Sequence, residues 1–202
     1  MSRGGTGRPP RARPDGRAGT VAAVPPDDLD AWLPDPVVRT RHARRAAAPP
    51  ERLWRVAREV RLSDTGTLGR LVRWRIPDTP ERETFQRLLA EYPFVVLDEG
   101  ELWSVSGLAG RIWTLHRDYP RLDGPGDFAA WRRRGTVRVL FAHWVEGDGR
   151  GGSVIVSEAR VKPTDRAAEL RLRSLWLVMG VFERLIGAEP LTVAARRAEM
   201  PG

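Results

Sequence analysis

The chain of 202 residues contains no cysteine, which excludes disulfides, thiolate metal sites and cysteine nucleophiles and fits a reducing compartment. Lysine is nearly missing: of the 34 basic residues only Lys162 is not arginine. Histidine is scarce. His42, His116 and His143 are the whole set; none pair at the i, i+4 spacing that puts two ligands on one helix face, and no carboxylate is placed to complete a triad, so neither metal nor cofactor is expected. Long apolar runs are missing as well. In "LRLRSLWLVMGVFERLIG" (170–187) the uncharged run is Ser174 to Phe182, between Arg173 and Glu183, whereas a membrane span needs about 20 mostly apolar residues. No transmembrane segment is expected, and the apolar stretch of about 7 to 15 residues that a secretory signal needs does not follow the basic start. The expected location is cytoplasmic.

Two familiar catalytic signatures are also lacking. "EGDGRGG" (146–152) is glycine-rich, but no helix follows it to cradle a phosphate, so it reads as a hairpin tip. Ser157 is not flanked by the Gly-x-Ser-x-Gly turn that exposes a hydrolase nucleophile.

The formal charge is +8, which raises the question of nucleic acid. Its distribution answers against a specific complex. Residues 1–26 hold five arginines against one aspartate, with five glycines and five prolines; such a segment has too little apolar surface to fold and is expected to be disordered. It lacks the interleaved aromatics of a single-strand binder. Partner or nucleic-acid binding through this tail is kept as the third functional reading.

Past the tail, "VVRTRHARRAA" (37–47) alternates, with Arg39, Arg41 and Arg45 on one parity and Val38, Thr40, His42 and Ala46 on the other, which predicts a strand. Pro49 and Pro50 stop it and suit the first turn of a helix whose apolar side is Leu53, Trp54 and Ala57. "TLGRLVRW" and "PERETFQRLLAEY" predict further short helices, the second with Phe85, Leu88 and Leu89 on one face. From Pro93 the pattern is "FVVLDEG", "ELWSVSG", "AGRIWTLH", "TVRVLFAHWVEG" and "GSVIVSEARV", punctuated by glycines at 100, 107, 110 and in 146–152. An antiparallel meander is expected. The insert between His116 and Thr136, with a short helical "DFAAWRRR", is the expected mobile rim.

The last predicted element starts at Thr164 and Asp165, with Thr164 as the capping acceptor, and stops near Gly187 and Pro190. Leu172, Leu175, Trp176, Met179, Phe182 and Ile186 form its core-facing stripe. Leu177 and Val181 are left over on the other side, and Gly180 would admit a close backbone, so a homodimer through this helix is expected, with the short helices before the sheet or the N-terminal segment as the competing cover.

Strand, short helices, meander and long final helix is an order that resembles the helix-grip fold of the SRPBCC superfamily, the START-like group that includes polyketide cyclase/dehydrase and lipid-transfer proteins. The stretches that carry the resemblance are "APPERLWRVAREVRL" (48–62), "GLAGRIW" (107–113) and "SEARVKPTD" (157–165). It implies an α+β domain in which a curved antiparallel sheet of six to seven strands wraps a long C-terminal helix, with two short helices after the first strand. It also implies a cavity between sheet and helix for a small apolar or amphipathic ligand. Residues 1–30 are then the tail, 31–190 the ligand-binding domain, and 191–202 a C-terminal tail.

Strand parity selects the lining. Thr40, His42, Phe141, His143, Ile155 and Ser157 point inward from the sheet; Ile112 is counted with the lining, as are Trp176, Met179 and Phe182 of the helix. Glu158, Arg160 and Arg138 fall on the opposite parity as an outer charge ladder, and Trp144 points outward as a contact residue. His116 cannot be assigned a face. The first functional reading is a carrier or sensor without catalysis. The second is an aromatase/cyclase-type enzyme with His42 and His143 as acid and base.

Overall fold

The computed structural model describes residues 29–75, 80–114 and 118–201, without the side chains of residues 71, 74, 75 and 176–187. The expectations for the tail 1–26, for His116, for Trp176, Met179 and Phe182, and for a dimer through Leu177 and Val181 lie outside what is described.

Element order is α1 Leu29–Trp32, β1 Val38–Ala46, α2 Pro50–Glu59, a 3-10 turn Leu62–Asp64, α3 Thr67–Arg75, α4 Phe85–Ala90, β2 Val95–Gly100, β3 Trp103–Gly110, α5 Pro125–Ala130, β4 Val137–Gly147, β5 Ser153–Pro163 and α6 Arg166–Glu199. The protein is α+β. Among the described residues the sheet has five strands in the order β1-β5-β4-β3-β2, every pair antiparallel.

Six to seven strands were expected; among the described residues there are five. "ELWSVSG" and the start of "AGRIWTLH" are one strand, because Gly107 is not a turn. It pairs with Val95 on one side and Leu140 on the other. A Cβ at Gly107 would stand 2.7 Å from the Phe128 ring, so this glycine admits a close packing partner. The strand ends at Gly110, whose φ of 148° brings it against the Asp118 carbonyl. The "EGDGRGG" tip is a hairpin turn as expected: Gly149 and Gly151 have φ of 73° and 88°, and Asp148 Oδ1 accepts from the amides of Arg150 and Gly152.

Both faces of the sheet are covered at its centre, while Arg39, Arg41 and Arg45 on the outer side of β1 are exposed. On the inner face stand α2, α3, α4 and α6; on the outer face α1 and α5 pack over Leu97, Val105, Leu140, Trp144 and Val156. The segment expected as a mobile rim is thus an outer-face cover, with Phe128 of α5 fully buried. The expected charge ladder is on the outer face but is not solvated. Glu158, Arg160 and Arg138 are 1%, 4% and 8% exposed. Glu158 Oε1 lies 2.9 Å from Arg39 Nε and 2.6 Å from Arg160 Nε, and Arg160 also pairs with Asp30 of α1. Leu29 and Leu33 are buried beside it, so the folded unit begins before residue 31. Trp144, read as an outward contact, is 3% exposed; Arg41 lies over its ring at 5.1 Å and its Nε1 donates to Glu146. Its contacts are internal.

Three expectations about helix ends are corrected. The N-cap of α6 is Asp165, not Thr164: its carboxylate accepts from the Ala168 amide at 2.8 Å and the Gly135 amide at 2.7 Å, and these bonds hold its pKa below the usual carboxylate range. Thr164 instead bridges to Thr136 and the Arg133 carbonyl. Helix α4 begins only at Phe85, because Thr84 takes an extended conformation and caps Arg87. Helix α6 does not stop at Gly187 or Pro190 but runs to Glu199. A proline inside a helix removes one backbone bond, and here tertiary packing outweighs it. Leu191, Ala194, Ala195 and Ala198 are buried against Leu53 and Trp54 of α2, and the Glu199 carboxylate accepts from the Ala47 amide. Residues 191–199 thus pack one face into the core and are not a tail.

Candidate functional site

Strand alternation places one side chain in two on the inner face, and the register states which of them are neighbours. His42 of β1 is opposite Ser157 of β5, Ser157 is opposite His143 of β4, and His143 is opposite Ser104 of β3. Four adjacent strands therefore put His42, Ser157, His143 and Ser104 in one row across the sheet. Directly paired residues stand about 4.5 to 5.5 Å apart.

This row lies on the floor of a mostly apolar cavity of about 340 Å³, to which Thr40, Arg58 and Gln86 add the other polar side chains of the described lining. Thr40, Phe141, Ile155 and Ala159 flank it on the sheet, and Leu108, Ile112, Val139 and Val161 lie toward one end. Trp54 and Ala57 of α2, Leu68 and Val72 of α3, and Phe85, Leu88 and Leu89 of α4 form the opposite wall, with Pro190 and Leu191 of α6. Phe94 and Phe141 meet edge-on at 5.8 Å. The volume lies at the small end of the range for ligand sites, roughly 300 to 1,000 Å³.

The wall helices are held to α6. Glu189 reaches the start of α3, accepting from the amides of Gly66 and Leu68 at 2.6 and 2.9 Å. Arg197 contacts both carboxylate oxygens of Asp64 at 2.7 Å and, by this hydrogen bond, lowers the Asp64 pKa.

The six strand residues assigned to the lining by parity, Thr40, His42, Phe141, His143, Ile155 and Ser157, stand around this one cavity, and Ile112 joins them from the turn after β3 rather than from a strand. Sequence reasoning missed Ser104. Its signal was available in "ELWSVSG", where the small Ser104 and Ser106 alternate with Trp103 and Val105, but the inner parity could not be chosen without the register. The cavity-facing residues of α3 and α4 were also missed.

Burial pushes the His143 pKa down from 6.5 to about 4, because an imidazolium there would lose its hydration with no carboxylate to replace it. The Nε2 of His42 is buried and has no hydrogen-bond partner. Among the described residues no hydrogen bond joins the four side chains of the row to one another. Arg58, at the α2 and α4 margin, is the one charged residue among the described lining, and its Nε donates to Gln86 Oε1. No group of three or more potential metal ligands occurs among the described residues. Nor is any described helix long and apolar enough to cross a membrane.

No family model and no curated protein matches the chain. Among solved structures it is similar to TTHA0849 from Thermus thermophilus, at 16% identity and a TM-score of 0.32, covering 80% of this chain and 97% of that one. A second is the Zhui aromatase/cyclase from Streptomyces sp. R1128, at 15% identity and a TM-score of 0.29, covering 80% and 93%. A third is Ara h 8.0201, at 12% identity and a TM-score of 0.26, covering 80% and 97%. At such scores the functional reading rests on the geometry of the cavity.

Proposed function

We propose that this protein binds a small apolar or amphipathic molecule between the inner face of its sheet and helices α2, α3, α4 and α6, as a carrier or sensor. The observation that carries this reading is the cavity itself. It is apolar on nearly every side, yet it contains a buried imidazole nitrogen that no protein group satisfies. Buried polar atoms are nearly always paired, and leaving one unpaired costs about 1 to 3 kcal/mol. A ligand with one hydrogen-bonding group recovers that energy while its body covers the apolar walls.

The cyclase-type alternative assigns His42 and His143 as acid and base. With a pKa of about 4, His143 is neutral at physiological pH and so cannot deliver a proton as an imidazolium, while as a base it is weak. Its environment suits hydrogen bonding better than proton transfer, which favours the binding reading over the catalytic one.

The test uses the neutral fluorophore N-phenyl-1-naphthylamine, which brightens in apolar surroundings. Saturable 1:1 binding is expected for the wild type, together with at least a tenfold loss in Ala159→Phe, which fills the cavity beside Phe141. A wild type that neither binds the probe nor carries an adduct in native mass spectrometry refutes the proposal.

A further inference from the structure

We infer that the row His42–Ser157–His143–Ser104 selects an uncharged oxygenated ligand, an alcohol or ketone with an apolar body, and rejects the corresponding carboxylate. The inference deepens the binding reading above and depends on it.

Three observations converge. First, the row is built to hydrogen-bond: serine hydroxyls and imidazole nitrogens supply donors and acceptors, and none of its members is a lysine or arginine. Second, the one charged residue among the described lining, Arg58, is exposed at the margin and already donates to Gln86. A carboxylate on the sheet floor would therefore be desolvated without a counter-charge, which costs far more than a neutral hydroxyl does. Third, the row has an unmet demand at a definite atom. His42 Nε2 is buried with no partner, and its neighbour across the strands is Ser157, so one ligand oxygen placed between them engages both. The remainder of the row, His143 and Ser104, offers the next hydrogen-bonding positions at successive spacings of about 5 Å. A rigid ligand with a second oxygen at that distance would gain from it.

A core histidine with a purely packing role predicts the opposite pattern: its polar atoms are satisfied within the protein, and replacing it by an apolar residue leaves ligand discrimination unchanged. The experiment separates the two by displacing N-phenyl-1-naphthylamine from the full chain with 1-octanol, octane and octanoate at pH 7.5. Wild-type protein is expected to bind octanol at least tenfold more tightly than octanoate. In His42→Leu, and independently in Ser157→Ala, octanol affinity is expected to fall about fivefold, the effect of one neutral hydrogen bond, while octane affinity stays within twofold. Retained octane binding reports an intact cavity in each variant.

Octanoate binding as tightly as octanol, or octanol affinity unchanged in both variants, overturns the inference and leaves the cavity as a general apolar site. A wild-type protein that binds the fluorophore and none of the three also overturns it. Failure to bind the fluorophore at all removes the binding reading and this one with it.

Discussion

His143 shows how a single residue records its surroundings. Its pKa of about 4 lies below the value of about 6.5 expected in the unfolded chain, so the unfolded state takes up the proton first as the pH falls. The stability contribution of neutral His143 is complete above about pH 6.5 and is lost progressively between 6.5 and 4. At the acid end the loss is about 3 kcal/mol, from 1.36 kcal/mol per unit. The urea midpoint of the wild type, measured relative to that of His143→Phe, should therefore fall as the pH is lowered from 7 to 4, because the variant lacks the proton that destabilises the wild type. A difference that does not change between pH 7 and 4.5 would show that His143 is hydrated in solution.

Among the elements, α6 departs furthest from local expectation. Its residues 188–199 follow a glycine and contain a proline, and local rules end the helix there. What continues it is the burial of one leucine and three alanines against α2, together with Arg197 on Asp64 and Glu189 on the start of α3. Burying one leucine alone contributes about 1.5 to 3 kcal/mol. Deletion of residues 191–202 is therefore expected to unfold the protein, or to lower its thermal midpoint by more than about 10 °C. A disposable tail would leave the midpoint unchanged, and differential scanning calorimetry of the truncated chain distinguishes the two. Glu189 also links this helix to the cavity wall, since α3 contributes Leu68 and Val72 to the lining.

At the scale of the whole molecule, the centre of the sheet is buried on both faces, and the outer cover starts at Leu29. Arg160 and Glu158 are nearly inaccessible there, so their charges depend on partners; removing one partner of such a set is strongly destabilising. Two deletions test where the folded unit begins. Loss of residues 1–26 removes a segment with little to bury and is expected to leave the thermal midpoint within a few degrees. Loss of residues 1–33 also removes Leu29, Asp30 and Leu33, uncovering Trp144 and leaving Arg160 without its second carboxylate; a fall of more than about 5 °C relative to the shorter deletion is expected. Equal midpoints would mean that α1 is not docked in solution.

What the sequence determined by itself follows from short-range rules. Period-two alternation decided which side of β1, β4 and β5 carries His42, His143 and Ser157, because a side chain cannot change face without shifting the whole strand. The turn at Gly149 and Gly151 and the proline start of α2 were equally local. The α+β order and the inner lining of these strands were legible for that reason. Tertiary structure decided the rest. Only register puts Ser104 in line with His143, and only packing on α2 carries α6 past Pro190. Glu158, Arg160 and Arg138 read only as an outer charge ladder because nothing in their alternation says that α1 and α5 cover them. Alternation reports which residues share a face, while burial of that face depends on segments far away in the chain.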